Sequence, residues 1–199
     1  MLKTSGHVKT HYKECCIIFE DFKNRNGVDA TLNAFKESIE QHAQNKPIDE
    51  QNIFKGDMLE ILAEIFFKAF QNDPRVGLSD YTPVPLEEDY GVDGFGINAA
   101  GKQCAVQVKF RSNPLDSVTY AELARTYASA ILLQKIPLEG DNCLYIFTTA
   151  QDVTHPNGTV FGSMLRVISH NIISEEINNN INFWNAAFEE IKETLLGKK

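Results

Sequence analysis

The sequence predicts an α/β fold built on a mixed sheet. Three observations carry the prediction. Segments with helical and strand periodicity follow one another in the order helix, strand, strand, helix, strand, strand, helix. The run 103–111 alternates cleanly, with Cys104, Val106, Val108 and Phe110 on one face and Gln103, Ala105, Gln107, Lys109 and Arg111 on the other. The 199 residues, 43% hydrophobic and 23% charged, have the length and balance of one well-packed domain, which excludes overall disorder or a fibre.

Taken in order, residues 12–45 read as helical. Leu32, Phe35 and Ile39 recur at helix spacing after Asp29 and Thr31, both suited to an N-cap, and Pro47 breaks the pattern. Residues 57–70 form the strongest helical segment. Met58, Ile61, Leu62, Ile65, Phe66 and Phe70 mark one apolar face, Gly56-Asp57 supplies the start, and Asn72-Asp73-Pro74 the end. An acidic turn, Glu87-Glu88-Asp89, precedes two strands, 92–98 and 103–111, joined by Ala99-Ala100-Gly101. A helix over 118–134 opens with a capping-box pattern, Thr119 to Glu122. Strands follow at 143–147 and 165–169. Terminal helices carry Ile173, Phe183, Trp184, Phe188, Ile191 and Leu195. The expected organisation is a helical extension over 1–50, a core over 51–170, and C-terminal helices over 171–199 that pack on it.

Composition narrows the function. No stretch approaches the roughly 20 apolar residues of a membrane span, and the first residues lack the apolar segment of a secretory signal. Cys15, Cys16, Cys104 and Cys143 form no CxxC pair and no zinc-finger spacing with His, so reduced, buried thiols and an intracellular location (cytoplasmic, nucleoid or nuclear) are expected. No His pairs with Ser or Cys in a hydrolase pattern, and His155, beside Pro156-Asn157-Gly158, reads as a turn residue. The net charge is −8, and residues 51–100 hold 9 acidic against 3 basic groups. Such a window is either a solvated surface or a place where carboxylates collect around a metal.

Gln107 and Lys109, two apart on one strand, share a face. Whether Asp93 joins them depends on hairpin register. With a three-residue loop between Asn98 and Lys102, Asp93 lies opposite Gln107; a two- or four-residue loop sends it to the other face. A three-residue loop wants Gly in the left-handed position at its end, and Gly101 is there. Asp57, Glu60 and Glu64 fall on one helical stripe. If that stripe borders the sheet face, two carboxylates, an amide and an ammonium converge, a donor set suited to Mg²⁺ or Mn²⁺. Glu60, three residues after Asp57, is equally placed to close a helix cap, and Glu64 to be a solvated acid.

Lys55-Gly56-Asp57-Met58-Leu59-Glu60, Gly91-Val92-Asp93-Gly94 and Ala105-Val106-Gln107-Val108-Lys109 together resemble the three motifs of the PD-(D/E)xK nuclease superfamily, in its Mrr-like branch with Gln in the second-strand acid position. The resemblance covers roughly residues 53–150, with Leu59 where the family has an aromatic residue. It implies a restriction-endonuclease-like core and a metal-dependent DNA endonuclease. It also implies roles: Asp93 as central metal ligand, Gln107 in the acidic ligand position, Glu60 supporting the metal from the helix (Glu64 as the alternative acid), and Lys109 as the catalytic lysine. Arg111, Lys102 and Arg125 are candidates for contacting DNA phosphates. A catalytically inactive module of the same fold and a structure-specific repair or recombination nuclease are the alternatives.

The acidic balance makes autonomous DNA binding weak. Target finding is therefore expected to depend on a DNA-recognition domain, a helicase or translocase, or a second copy of the chain. Residues 1–50, with 7 basic and 8 acidic groups, look more like a helical docking surface, with Leu32, Phe35 and Ile39 as candidate contacts if they are not buried in the chain's own core.

Overall fold

In the computed structural model, residues 2–3, 11–85, 91–137, 140–154 and 160–197 are described; the acidic run 87–89 and His155 lie outside them. The chain divides into two compact units, residues 1–65 with 171–199, and residues 66–170.

The first unit is helical. It holds α1 (Tyr12–Asn24), α2 (Leu32–Gln44), most of α3 (Ile48–Ala69) and α7 (Ile181–Leu195). Its centre is aromatic: Phe19, Phe22 and Phe35 surround the fully buried Trp184 with ring centroids 4.7–6.0 Å apart. The indole N–H donates to the carbonyls of Ala30 (3.0 Å) and Ile177 (2.8 Å), so the large ring is buried without an orphaned donor. Leu32, Phe35 and Ile39 are fully buried here. They are core residues, so the docking role expected of them is withdrawn. Thr31 caps α2 through the Ala34 N–H, while Asp29 sits at φ 53° in the preceding turn.

The helix expected over 57–70 begins at Ile48, directly after Pro47, with Asp49 and Glu50 in its first turn. Gly56 is therefore an interior helical residue and Asp57 is not a cap; its carboxylate pairs with His11 Nδ1 at 2.8 Å. With the start displaced, Glu60 lies far inside the helix and has no capping role.

The second unit is a five-stranded sheet in the order β1-β2-β3-β4-β5, formed by β1 (Leu78–Pro83), β2 (Gly94–Asn98), β3 (Gln103–Lys109), β4 (Leu144–Thr148) and β5 (Leu165–Ile168). The first three strands form an antiparallel meander, and β3, β4 and β5 run parallel. The crossover from β3 to β4 is α4 (Tyr120–Leu132), which opens with the expected Thr119–Glu122 capping box. A short helix, α5 (Val160–Met164), precedes β5; the next helix, α6 (His170–Ile177), belongs from Asn171 onward to the first unit.

β1 was not foreseen. Asp80 at φ 53° and a register shift between Ser79 and Thr82 break its alternation, so the strand has no period-2 signature to read.

The central strand β3 is buried on both faces. Ala105, Leu144 and Ile146 pack with Leu123 and Ala130 of α4. Val106 and Val108 belong to the opposite face, beside Tyr145 and Phe147 in the register, where Phe66 and Phe67 from the end of α3 meet Phe147 at 5.3 and 5.4 Å. The face carrying Gln107 is consequently a covered surface rather than an open polar one. Among the described residues no helix is long and apolar enough to cross a membrane.

Candidate functional site

The hairpin takes the register that the turn chemistry favours. Gly94 faces Val106 and Phe95 faces Ala105, and Asp93, the residue before the paired strand, brings its carboxylate to the Gln107 amide. Asn98 builds the loop: its N–H donates to Lys102 O (2.9 Å), and its buried side-chain oxygen accepts from the N–H groups of Ala100 (3.0 Å) and Lys102 (2.9 Å). Gly101 supplies the left-handed residue at φ 74°.

Past Asp93 the pairing stops. The Asp93 N–H still bonds Val106 O at 2.9 Å, but two residues earlier Gly91 turns the chain away at φ 97°. The Val108 N–H thus meets a side chain instead of a ladder carbonyl: Asp93 Oδ2 accepts it at 2.6 Å. The same oxygen accepts from Gln107 Nε2. The Gln107 carbonyl oxygen in turn accepts from the Thr126 hydroxyl on α4 at 2.8 Å. Asp93, Gln107 and Thr126 are 8%, 3% and 2% exposed, so this chain of bonds is a buried network that leaves its amide fully paired.

The network forms the floor of a cleft of about 640 Å³ whose walls include Lys109, Glu122, Arg125 and Ser129. Lys109 stands half-buried on the same face of β3 as Gln107, and Arg125 is exposed on α4. Among the described residues no carboxylate lies within ion-pair distance of either cation. Arg111 is engaged: its guanidinium donates to Glu122 Oε1 at 2.6 Å, and its backbone is tied to the Thr149 hydroxyl. Burial works against ionisation of Glu122, but the Thr119 N–H, the Arg111 guanidinium and the Thr119 hydroxyl outweigh it and hold the carboxyl below its usual range. Arg111 neutralises Glu122, and among the described residues the cleft is also lined by the charged side chains of Asp93, Lys109 and Arg125.

Asp93, Gln107, Lys109 and Arg125 are thus brought together. Arg111 joins them as the partner of Glu122 rather than as a separate cation for phosphate. Lys102 does not join. It precedes β3 at the loop end of the hairpin, seven positions from Lys109, which is about 23 Å at the rise of a strand, and it lines a second cleft with Asp141, Tyr145 and Arg166. Lys102, named with Arg111 and Arg125 as a candidate phosphate contact, therefore stands apart from the cleft that Arg125 lines. Glu60 and Glu64 lie on the part of α3 that belongs to the first unit. Glu60 is partly exposed. Glu64 is buried and accepts from the Lys3 N–H at 2.8 Å, so it is not the solvated acid its helical position also allowed.

Thr126 was missed at the sequence level, yet a signal exists. Leu123, Thr126, Ser129 and Ala130 are the buried positions of α4, and Thr126 falls at helical spacing between Leu123 and Ala130 as a polar residue on the apolar face.

The oxygens near the network are the Asp93 carboxylate, the Gln107 amide oxygen and the Val108 carbonyl, the last 3.5 Å from Gln107 Nε2. Among the described residues no group of three His, Cys, Asp or Glu side chains gathers around one point. One carboxylate with neutral oxygens suits a hard divalent cation that keeps most of its water, as Mg²⁺ does, and suits zinc poorly. The four cysteines are free thiols, and burial raises the titration of each one.

Compared with protein-family models, curated proteins and solved structures, the chain matches none.

Proposed function

We propose that the protein is a metal-dependent DNA endonuclease, the nuclease module of a restriction or helicase-linked system. The observation that carries this reading is the hairpin register: a three-residue loop sets Asp93 against Gln107, with Lys109 two positions on along the same face. An antiparallel meander followed by a parallel crossover through α4 is compatible with a restriction-endonuclease-like core.

Asp93 and the Val108 carbonyl, with the amide oxygen of Gln107, would hold Mg²⁺ or Mn²⁺. When bound, such a cation polarises a phosphoryl oxygen and acidifies a coordinated water. The rest of the chemistry belongs to the chain. Lys109 offers an ammonium, without a carboxylate partner among the described residues, to a phosphate oxygen or to the attacking water. Arg125, at the mouth, engages a neighbouring phosphate. The Arg111–Glu122 pair removes a negative charge that would otherwise repel the backbone. The two cations that line the cleft among the described residues give little affinity for duplex DNA, so a recognition domain, a translocase or a second copy would deliver the module to its target.

Plasmid nicking tests the reading. Supercoiled DNA should be nicked in Mg²⁺ or Mn²⁺, EDTA should stop it, and Lys109→Ala should lower the rate by at least about 100-fold. Wild-type activity in EDTA, or in Lys109→Ala, refutes the mechanism.

A further inference from the structure

The hydroxyl of Thr126 has two acceptors within reach and one proton. Gln107 Oε1 lies at 2.8 Å, and the carbonyl of Glu122, one helical turn back, at 3.1 Å. Which acceptor it serves is decided two residues away. Ionised Asp93 can only accept, so Gln107 must turn its NH₂ toward Asp93 and its oxygen toward Thr126. The Thr126 proton is then committed to Gln107.

This arrangement holds the amide oxygen, the atom a hard cation would need, away from the carboxylate. Oδ2 of Asp93 already accepts two N–H groups, so a cation that takes this oxygen displaces the Gln107 N–H. A half-turn of the amide exchanges its oxygen and nitrogen. The NH₂ group then faces Thr126, whose oxygen can accept it only after handing its own proton to the Glu122 carbonyl. Because that second acceptor is already in place, both orientations leave the Thr126 hydroxyl and the amide group facing it paired with each other.

We propose that Thr126 is a positioning residue that permits the Gln107 amide to reverse when a divalent cation is loaded. Its hydroxyl donates to Gln107 in the metal-free site and to Glu122 in the loaded one. The proposal rests on the metal-site reading above and adds a two-state element to it.

NMR on the ¹⁵N-labelled full chain gives the direct test. Without metal, the Gln107 NH₂ protons should show Overhauser contacts to the Val108 amide proton. At saturating Mg²⁺ these contacts should be replaced by ones to the Thr126 side chain. Mn²⁺ affinity, measured by calorimetry, should fall roughly tenfold in Thr126→Val, which has nearly the same shape. It leaves the turned NH₂ without an acceptor in the loaded site, a larger loss than the donor it takes from the Gln107 oxygen in the metal-free site, because an under-satisfied carbonyl is tolerated better than an orphaned N–H. Thr126→Ser should restore it to within about twofold, an outcome a purely space-filling role would not give. Saturable Mg²⁺ binding with the Gln107 contacts unchanged overturns the reversal while sparing the metal site. Thr126→Val binding Mn²⁺ as tightly as wild type overturns the positioning role. No binding of either cation by the wild type overturns the metal site itself. Thermal unfolding of the metal-free variants separates a folding defect from lost affinity.

Discussion

Replacing Asp93 by Ala and by Asn should give two different proteins. One carboxylate oxygen, Oδ2, accepts both the Val108 N–H and the Gln107 Nε2–H. Alanine removes that acceptor and leaves two donors unpaired in a site that is 8% exposed or less at Asp93 and Gln107. Each orphaned buried donor costs about 1–3 kcal/mol. Water entering from the cleft can recover part of this, so Asp93→Ala should lose about 2–4 kcal/mol. Asparagine can place its single oxygen where Oδ2 stood and keep both bonds. It forfeits the charge assistance, about 1 kcal/mol, but also relieves the burial of an ion, so its stability should stay within about 1 kcal/mol of wild type. Both should lose cleavage and Mn²⁺ binding, because neither retains a carboxylate. Asp93→Ala is thus a poor probe of chemistry alone, and Asp93→Asn is the clean one. Urea unfolding followed by circular dichroism, with calorimetric Mn²⁺ titration in parallel, provides the measurement. Equal stability losses in the two variants would refute the argument, because the doubly accepting oxygen would then carry no structural weight.

Three further outcomes follow from the geometry. An added Cβ at Gly101 meets no atom within 4 Å, but φ is +74°, so Gly101→Ala should cost about 1 kcal/mol in urea unfolding, with Asn there costing less. Gly56 also has nothing within 4 Å, yet lies inside α3, so the same substitution should instead stabilise by about 1 kcal/mol; a loss at Gly56 or a gain at Gly101 would contradict the assigned conformations. Glu122 has a lowered pKa, so its ionised form contributes stability above the ordinary carboxylate value of 4.5, and that contribution is lost as pH falls below it. The stability gap between wild type and Glu122→Gln should therefore close on acidification through and below that pH, and a gap independent of pH would show that the charge plays no part.

The fold was legible wherever one periodicity ran unbroken. The 103–109 alternation, the Thr119–Glu122 box and the Gly101 turn each encode a local geometry, and each is realised. Failures occurred where a local signal was ambiguous or interrupted. Gly56-Asp57 reads as a helix start because Gly and Asp favour termini. Yet helix propensity is a weak term, and tertiary burial of Phe54 and Met58 on either side carries α3 straight through. The bulge at Asp80 hides β1. The alternation of β3 separates two faces but does not tell that α4 covers the polar one, because coverage is decided by a crossover far along the chain. Charge was similarly deceptive. A window balance of −6 says nothing of how Arg111 neutralises Glu122 at 2.6 Å, or of how Lys109 and Arg125 come to line the same cleft as Asp93.

What makes the cleft is the early end of β2. Were the hairpin to continue, Val92 would pair with Val108 and the strand edge would close over with backbone bonds. Gly91, at φ 97°, instead directs the chain elsewhere, and the ladder ends at the Asp93 N–H. The Val108 N–H must still be satisfied, because it is buried, and the Asp93 side chain satisfies it. A carboxylate is thereby anchored by the backbone of the neighbouring strand. Residues 91–94, Gly-Val-Asp-Gly, therefore encode one device. The first Gly ends the pairing, Val92 fills the core, Asp93 takes over the orphaned donor, and Gly94 begins the strand beneath the Tyr81 ring, where an added Cβ would lie 2.4 Å from a ring carbon. The motif is short because each of its four positions answers a different steric or hydrogen-bonding demand at the same strand end.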